Sequence, residues 1–172
     1  MHTAHAGLYV VMGVAGSGKS LIGSMLARAL GVAFVDGDDL HPAANVAKMA
    51  AGVALTDDDR AGWLGALAAR LAEAREAGAG LVIACSALKR AYRDALRDGA
   101  APASVRFVFL TGERALIADR LVRRSGHFMP ASMLDGQLAV LEPPLPSEEA
   151  WTCDVREAPE AIVAALVRRA SR

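Results

Sequence analysis

Cysteine is nearly missing from this sequence: Cys85 and Cys153 are the two in 172 residues. So few thiols argue against a disulfide framework or a cysteine-built metal site, and both are expected to be small core residues of a reduced, cytoplasmic protein. Aromatic residues are scarce at 5%, and the formal net charge is zero. A nucleic-acid partner is therefore not expected, since it would call for basic grooves and stacking rings. No apolar run reaches the ~18 residues of a membrane helix, so no membrane partner is expected either. Residues 1–7 lack a basic stretch followed by an apolar one and do not read as a signal peptide. Internal repeats are absent, and the alanine-rich stretches are helix formers, not linkers. With 53% hydrophobic and 22% charged residues, the chain reads as one ordered domain over 1–172, with enough length for a proper core.

What is present is concentrated early. Gly13-Val14-Ala15-Gly16-Ser17-Gly18-Lys19-Ser20 fits the phosphate-loop pattern GxxxxGKS. An apolar run at 8–12 precedes it and reads as a buried strand. Residues 21–30 follow, with Ile22, Met25, Leu26, Ala29 and Leu30 on one helical face. The pattern thus sits between a strand and a helix, as the chemistry requires. Gly13, Gly16 and Gly18 clear side chains from the path of a polyphosphate and allow positive φ, while Ala15, Ser17 and the helix-opening amides supply N–H donors. Lys19 is placed to reach the β- and γ-phosphates of ATP, and the Ser20 hydroxyl to ligate Mg²⁺.

A second strand at 32–35 runs into Asp36-Gly37-Asp38-Asp39. Ligands of open α/β sheets bind beyond the carboxyl ends of the strands, so Asp36 and Asp38 are expected beside the phosphate loop. One could hold Mg²⁺ through water and the other take a proton from a substrate hydroxyl, or both could belong to an acidic turn that caps a helix. The next segment, about 38–77, reads as a helical substrate-binding lobe. Pro42 starts one helix and Gly52 ends it; Thr56 or Asp57 caps the next, from about 60 to 77, with Trp63, Leu64, Leu67 and Leu71 on one face. His41 is either a turn residue or a substrate contact. Asp57, Asp58 and Asp59 read as a solvated acidic first turn, and Arg60 as their ion-pair partner or a substrate ligand.

The strand at 81–85 ends in Cys85-Ser86, where a typical nucleotide-binding strand would end in Asp, leaving Asp36 as the acid best placed for the metal. Ser86 is expected to cap a helix over about 87–97. Lys89 and Arg93, four apart, would then share a face near a bound anion. A fourth strand at 105–110 leads to a helix carrying Arg120 and Arg124, followed by a short lid at 125–135 within a lid region of about 120–135. A fifth strand at 151–155 and an amphipathic helix at 159–169 complete a five-stranded α/β pattern. Charge is segregated: 36–59 holds six acidic residues and one basic, 89–124 nine basic and four acidic, the better place for anions.

Strand, GxxxxGKS, helix, strand and Phe34-Val35-Asp36-Gly37-Asp38 together resemble the small-molecule kinases related to shikimate kinase and the nucleoside monophosphate kinases. More narrowly, the chain resembles the gluconokinase family. Asp36-Gly37-Asp38 carries that likeness with His41-Pro42, Asn45, Lys48-Met49, Gly52, the 57–60 block and Trp63-Leu64. So do Cys85-Ser86-Ala87-Leu88-Lys89, Tyr92-Arg93, Arg120-Leu121, Arg124 and Gly126-His127-Phe128. The likeness spans about 8–170 and implies a three-layer P-loop fold with a five-stranded parallel sheet. It implies ATP- and Mg²⁺-dependent phosphorylation of D-gluconate to 6-phosphogluconate, and a homodimer. By position it gives Lys19 and Ser20 to the phosphates and metal, Asp36 to the metal, Asp38 to the acceptor hydroxyl, Arg120 to adenine and Arg124 to the moving phosphate. Arg60, Lys89 and Arg93 are clamp candidates for the carboxylate of gluconate, with His41 on its hydroxyls. Ala54 and Gly62 stand where the family pattern has proline, which should loosen the lobe. A related kinase of shikimate or a nucleoside monophosphate, or an ATP-binding switch without transfer, are the rival readings.

Overall fold

The computed structural model describes residues 6–124 and 131–172. Five strands form one parallel sheet in the order β2-β3-β1-β4-β5: β1 Leu8–Met12, β2 Ala33–Asp36, β3 Leu81–Ala84, β4 Val105–Thr111 and β5 Trp151–Asp154. Parallel strands need crossovers, and the crossover helices cover both faces. On one face lie α1 Lys19–Leu30, α5 Arg114–Arg123, α6 Ala131–Val140 and α7 Pro159–Ala170; on the other lie α3 Asp57–Glu76 and α4 Arg90–Ala100. Short α2, Ala43–Ala50, stands between β2 and α3.

β1 shows how the sequence sorts the layers. Its side chains alternate: Tyr9 and Val11 join the core with Ile22, Leu26, Ile117 and Leu166. Leu8, Val10 and Met12 join the core with Trp63, Leu67, Leu71, Leu96 and Phe107. Each such leucine, fully withdrawn from water, contributes about 1.5–3 kcal/mol of transfer free energy. The expected face of α3 is the buried one, namely Trp63, Leu64, Leu67 and Leu71. Thr56 caps it in a reciprocal box with Asp59: Asp59 N–H donates to Thr56 Oγ1 at 3.1 Å, and Thr56 N–H to Asp59 Oδ2 at 2.9 Å.

One sequence expectation is corrected here, and two others are located. The helix expected over 87–97 begins only at Arg90, with Lys89 as its extended N-cap (ψ 147°). Ala87, between Ser86 and that cap, takes a left-handed φ of 45°, which a helix cannot contain. Of the expected lid, 131–135 form the first half of α6, while 125–130, with Gly126, His127 and Phe128, lie outside the described residues. Cys85 lies just past β3 and is buried; Cys153 lies in β5, and both thiols are free. Among the described residues no helix is long and apolar enough to cross a membrane.

Candidate active site

β1 is the central strand of the sheet, and the loop after it opens at the carboxyl edge, where sheet topology switches direction. A cleft of about 1200 Å³ opens there. Its floor is the 15–20 stretch of the phosphate loop; its walls carry Asp38, His41, Arg60 and Lys89 on one side, and Arg120, Arg124 and α6 on the other.

The loop is built from backbone. Gly13, Gly16 and Gly18 have φ of 149°, 80° and 95°, as the motif requires. Two of them also admit close neighbours: a Cβ on Gly13 would stand 2.8 Å from Leu110 O, and one on Gly16 2.6 Å from Leu121 Cγ. The second approach lets α5 pack directly on the loop, which brings Arg120 and Arg124 to the cleft. α1 starts at Lys19 after Gly18, with no side chain capping its first amides. Those open N–H groups and the helix dipole suit a phosphate chain. Lys19 Nζ rests on Val14 O at 3.1 Å, at the mouth of the loop. Burial pushes its pKa below the ordinary lysine value, with the carboxylates of Asp38 and Asp36 pulling the other way.

Behind the loop, Ser20 Oγ donates to Asp36 Oδ2 at 2.6 Å. The other oxygen of Asp36 accepts from Asp38 N–H at 3.1 Å and caps the single 3-10 turn Gly37–Leu40. Asp36 therefore caps the acidic turn, one of the readings the sequence left open, and also stands beside Ser20. That turn turns Asp38 out into the cleft. Gly37 permits it, since a Cβ there would sit 2.5 Å from Ala84 O. Trp63 Nε1 donates to Gly37 O at 2.7 Å, so the acid-bearing turn is pinned to α3. Nothing local in the sequence signalled this bond.

His41 stacks on Trp63, ring centroids 4.1 Å apart and planes 15° from parallel. Buried Asn45 donates from Nδ2 to Asp59 O at 2.8 Å, which fixes its amide orientation, and the same nitrogen lies 3.3 Å from His41 Nδ1. Nδ1 is thus the acceptor, and the ring proton sits on Nε2. Burial lowers the pKa of His41 and so favours the neutral ring, and the Asp38 carboxylate pulls the other way.

At the far wall the acidic turn is engaged, not merely solvated. Asp57 accepts from Lys89 Nζ at 3.0 Å and from the Tyr92 hydroxyl. These bonds, Tyr92 first, hold its pKa below the ordinary carboxylate value. Asp59 takes Lys48 Nζ at 2.8 Å, and that bond leads in lowering its pKa to about 2. Arg60 Nη1 donates to Leu55 O at 2.8 Å and Tyr92 Oη at 3.3 Å, with its guanidinium over the Tyr92 ring. Arg120 Nη2 donates to Val155 O at 2.6 Å, a tether that keeps it on the cleft wall.

Arg93 departs from expectation. Its side chain is 0% exposed and absent from the cleft wall. Nε and Nη2 grip Glu148 at 2.7 and 3.1 Å, while Nη1 donates to Ala87 O at 2.8 Å and Leu88 O at 3.3 Å. With its donors so engaged it is no clamp for a substrate carboxylate. It fastens the left-handed turn that carries Ser86 and Lys89. Sequence reading also passed over Gln137, whose Oε1 accepts from the loop amide of Ala15 at 2.7 Å.

A glycine-built phosphate loop, a serine–aspartate pair behind it and the Asp38 carboxylate in one cleft with Arg60, Lys89, Arg120 and Arg124 define a P-loop kinase. A family model described as an AAA domain matches residues 8–144. The gluconokinase of Gluconobacter oxydans (strain 621H) is 47% identical over 159 residues, covering 92% of this chain and 88% of its own, and the chain belongs to the gluconokinase family. The crystal structure of a gluconokinase from Sinorhizobium meliloti 1021 superposes with a TM-score of 0.86 at 46% identity, over 97% of this chain and 95% of that one. A shikimate kinase from Acinetobacter baumannii in complex with shikimate shares the fold, with a TM-score of 0.58 at 20% identity, over 94% and 90% of the two chains.

Proposed function

We propose that the chain is a gluconokinase, moving the γ-phosphoryl group of ATP to the 6-hydroxyl of D-gluconate to give 6-phosphogluconate. The observation that carries this reading is the facing arrangement in one cleft: an open phosphate loop at one end, Asp38 at the middle and the cations Arg60 and Lys89 at the other. The chain's kinship to gluconokinases then selects the acceptor.

Phosphoryl transfer asks for alignment and charge neutralisation more than covalent chemistry. The acceptor O6 attacks the γ-phosphorus in line; the new O–P bond forms as the bond to the bridging oxygen breaks, and ADP leaves with that electron pair. Asp38 orients O6–H and takes its proton. Lys19 and Arg124 face the phosphate oxygens, and Arg120 supports the adenine. Arg60 and Lys89 hold the carboxylate of gluconate, and neutral His41 presents Nε2–H to a hydroxyl. Ser20 and Asp36 fit a hard cation, because Mg²⁺ takes one or two protein oxygens and fills its shell with water and phosphate. Bound there, the ion supplies neutralisation of the phosphate charge. Residues 120–135 act as the lid of this reading, and a homodimer in the cytoplasm is its expected state.

The test is a coupled assay with purified protein, Mg-ATP and D-gluconate, reading 6-phosphogluconate through its dehydrogenase and NADPH absorbance. Turnover with gluconate and none with shikimate or nucleoside monophosphates is the expected result. Turnover with one of those acceptors and not with gluconate overturns the reading.

A further inference from the structure

We infer that Gln137 is a phosphate-binding residue of the ATP site, delivered by α6. This rests on the kinase reading above and adds to it a residue on the helix across the cleft from α1. The starting observation is the 2.7 Å hydrogen bond from Ala15 N–H to Gln137 Oε1. Ala15 is the third residue of the phosphate loop, and Lys19 Nζ sits on the carbonyl of its neighbour Val14. The amide therefore lies at the end of the loop where that lysine meets the β- and γ-phosphates. An atom 2.7 Å from this N–H occupies the place of a phosphate oxygen. In the structure the carboxamide oxygen of Gln137 is that acceptor.

α6 fixes where the side chain can go. Its Leu134 is fully buried in the core, and Leu138 packs against the same cluster. Asp135 pairs with Arg114 of α5 at 2.5 Å, tying the two helices together. Met133, Gln137 and Val140, spaced four and three apart, turn the other face to the cleft. With the helix held from behind, arriving phosphate displaces the carboxamide, not the helix. Oε1 cannot stay, because two acceptors would then compete for one N–H. The same group carries two Nε2–H donors. A flip of about 180° about the last side-chain torsion exchanges oxygen for nitrogen and lets Gln137 donate to the phosphate that took its place. Glutamine suits this exchange because one planar group carries both an acceptor and two donors.

Three variants of the full chain distinguish this from a role in merely packing against the loop. Q137E keeps an acceptor for Ala15 N–H but cannot donate and brings a negative charge to the phosphates. Q137A removes both functions, and Q137M keeps the bulk alone. Affinity for a non-hydrolysable Mg-ATP analogue is measured by calorimetry without gluconate, kcat with gluconate, and thermal midpoint without any ligand. Loss of one hydrogen bond to a charged group lowers affinity or kcat by about 10- to 100-fold, so Q137A and Q137M should fall by that factor and Q137E further, with thermal midpoints near that of the parent chain. The proposal is overturned if Q137E binds and turns over like the parent, or if Q137A binds the analogue more tightly at unchanged kcat. Because the binding arm omits gluconate, it stands apart from the choice of acceptor: a parent chain that binds the analogue but ignores gluconate fails the functional reading, not this one.

Discussion

The two ends of the cleft are built by different means. At the nucleotide end the work falls to backbone: three glycines with positive φ, uncapped amides of α1, and contacts with Leu110 and Leu121 that leave no room for a Cβ. At the acceptor end it falls to side chains gripping one another: Lys89 on Asp57, Lys48 on Asp59, Arg60 and Tyr92 between them. Backbone amides see only phosphate, a group common to every nucleotide triphosphate. Side-chain cations and carboxylates can be rearranged position by position, so identity of the acceptor resides there. Asp38 stands at the junction, on a turn anchored to the sheet through Asp36 and to the acceptor lobe through Trp63 and Gly37.

The largest effect expected is at that junction. Asp38→Asn keeps the size of the side chain and removes the base. General-base catalysis is worth typically 10²–10⁴-fold, so kcat should fall by about that factor, with affinity for Mg-ATP retained because the nucleotide end is untouched. Turnover within about threefold of the parent would remove Asp38 from the mechanism, on the same scale. A matching fall in ATP affinity would mean the two ends are not separable.

Next comes the contrast between two cations that sequence spacing had put side by side, Lys89 on the cleft wall and Arg93 buried behind it. Arg93→Met breaks a buried ion pair and leaves Glu148 with Arg97 as its one cation, at a cost of up to about 3–5 kcal/mol of stability. Lys89→Met breaks a solvent-facing pair with Asp57, worth about 0–1 kcal/mol, but removes a ligand for the acceptor carboxylate. Denaturant midpoints and KM for gluconate should therefore move in opposite variants: a large fall in midpoint for Arg93, and for Lys89 a rise in KM of about tenfold or more, the value of one charge-assisted bond. A raised KM for gluconate with normal stability in the Arg93 variant would return it to the substrate.

That contrast also marks where the sequence was legible. Elements announced by local pattern came out as expected: the loop between strand and helix, the acidic turn at the end of β2, and the apolar face of α3. The i, i+4 argument for Lys89 and Arg93 failed because it assumes that both residues are inside a helix. Lys89 is an extended cap, and the turn before it contains a left-handed alanine that no glycine flags. The partners that decide the remaining roles are remote. Glu148 lies 55 residues from Arg93, Gln137 lies 122 from Ala15, and Gly37 lies 26 from Trp63. Only the assembled sheet brings them together, so no window of sequence carries their signal.

The smallest effect separates the buried ion pair from the exposed ones by acid. Glu148 is held at a pKa of about 2 by Arg93 first, below its ordinary 4.5. The folded state thus binds fewer protons than the unfolded one between these values. Its contribution to stability is complete above about pH 4.5 and is lost as pH falls toward about 2. Asp59 is lowered to about 2 as well, by Lys48, and titrates in the same window. Ionic strength tells them apart: Lys48 and Asp59 face solvent and are screened, whereas the Glu148 side chain is 3% exposed. Denaturant midpoints measured from pH 5 to pH 2 at low and at high salt should show an acid-sensitive component that survives salt in the parent and shrinks in Glu148→Gln. An acid response abolished by salt in the parent would put the stability at the acceptor wall, with its exposed pairs, and take it from the buried arginine.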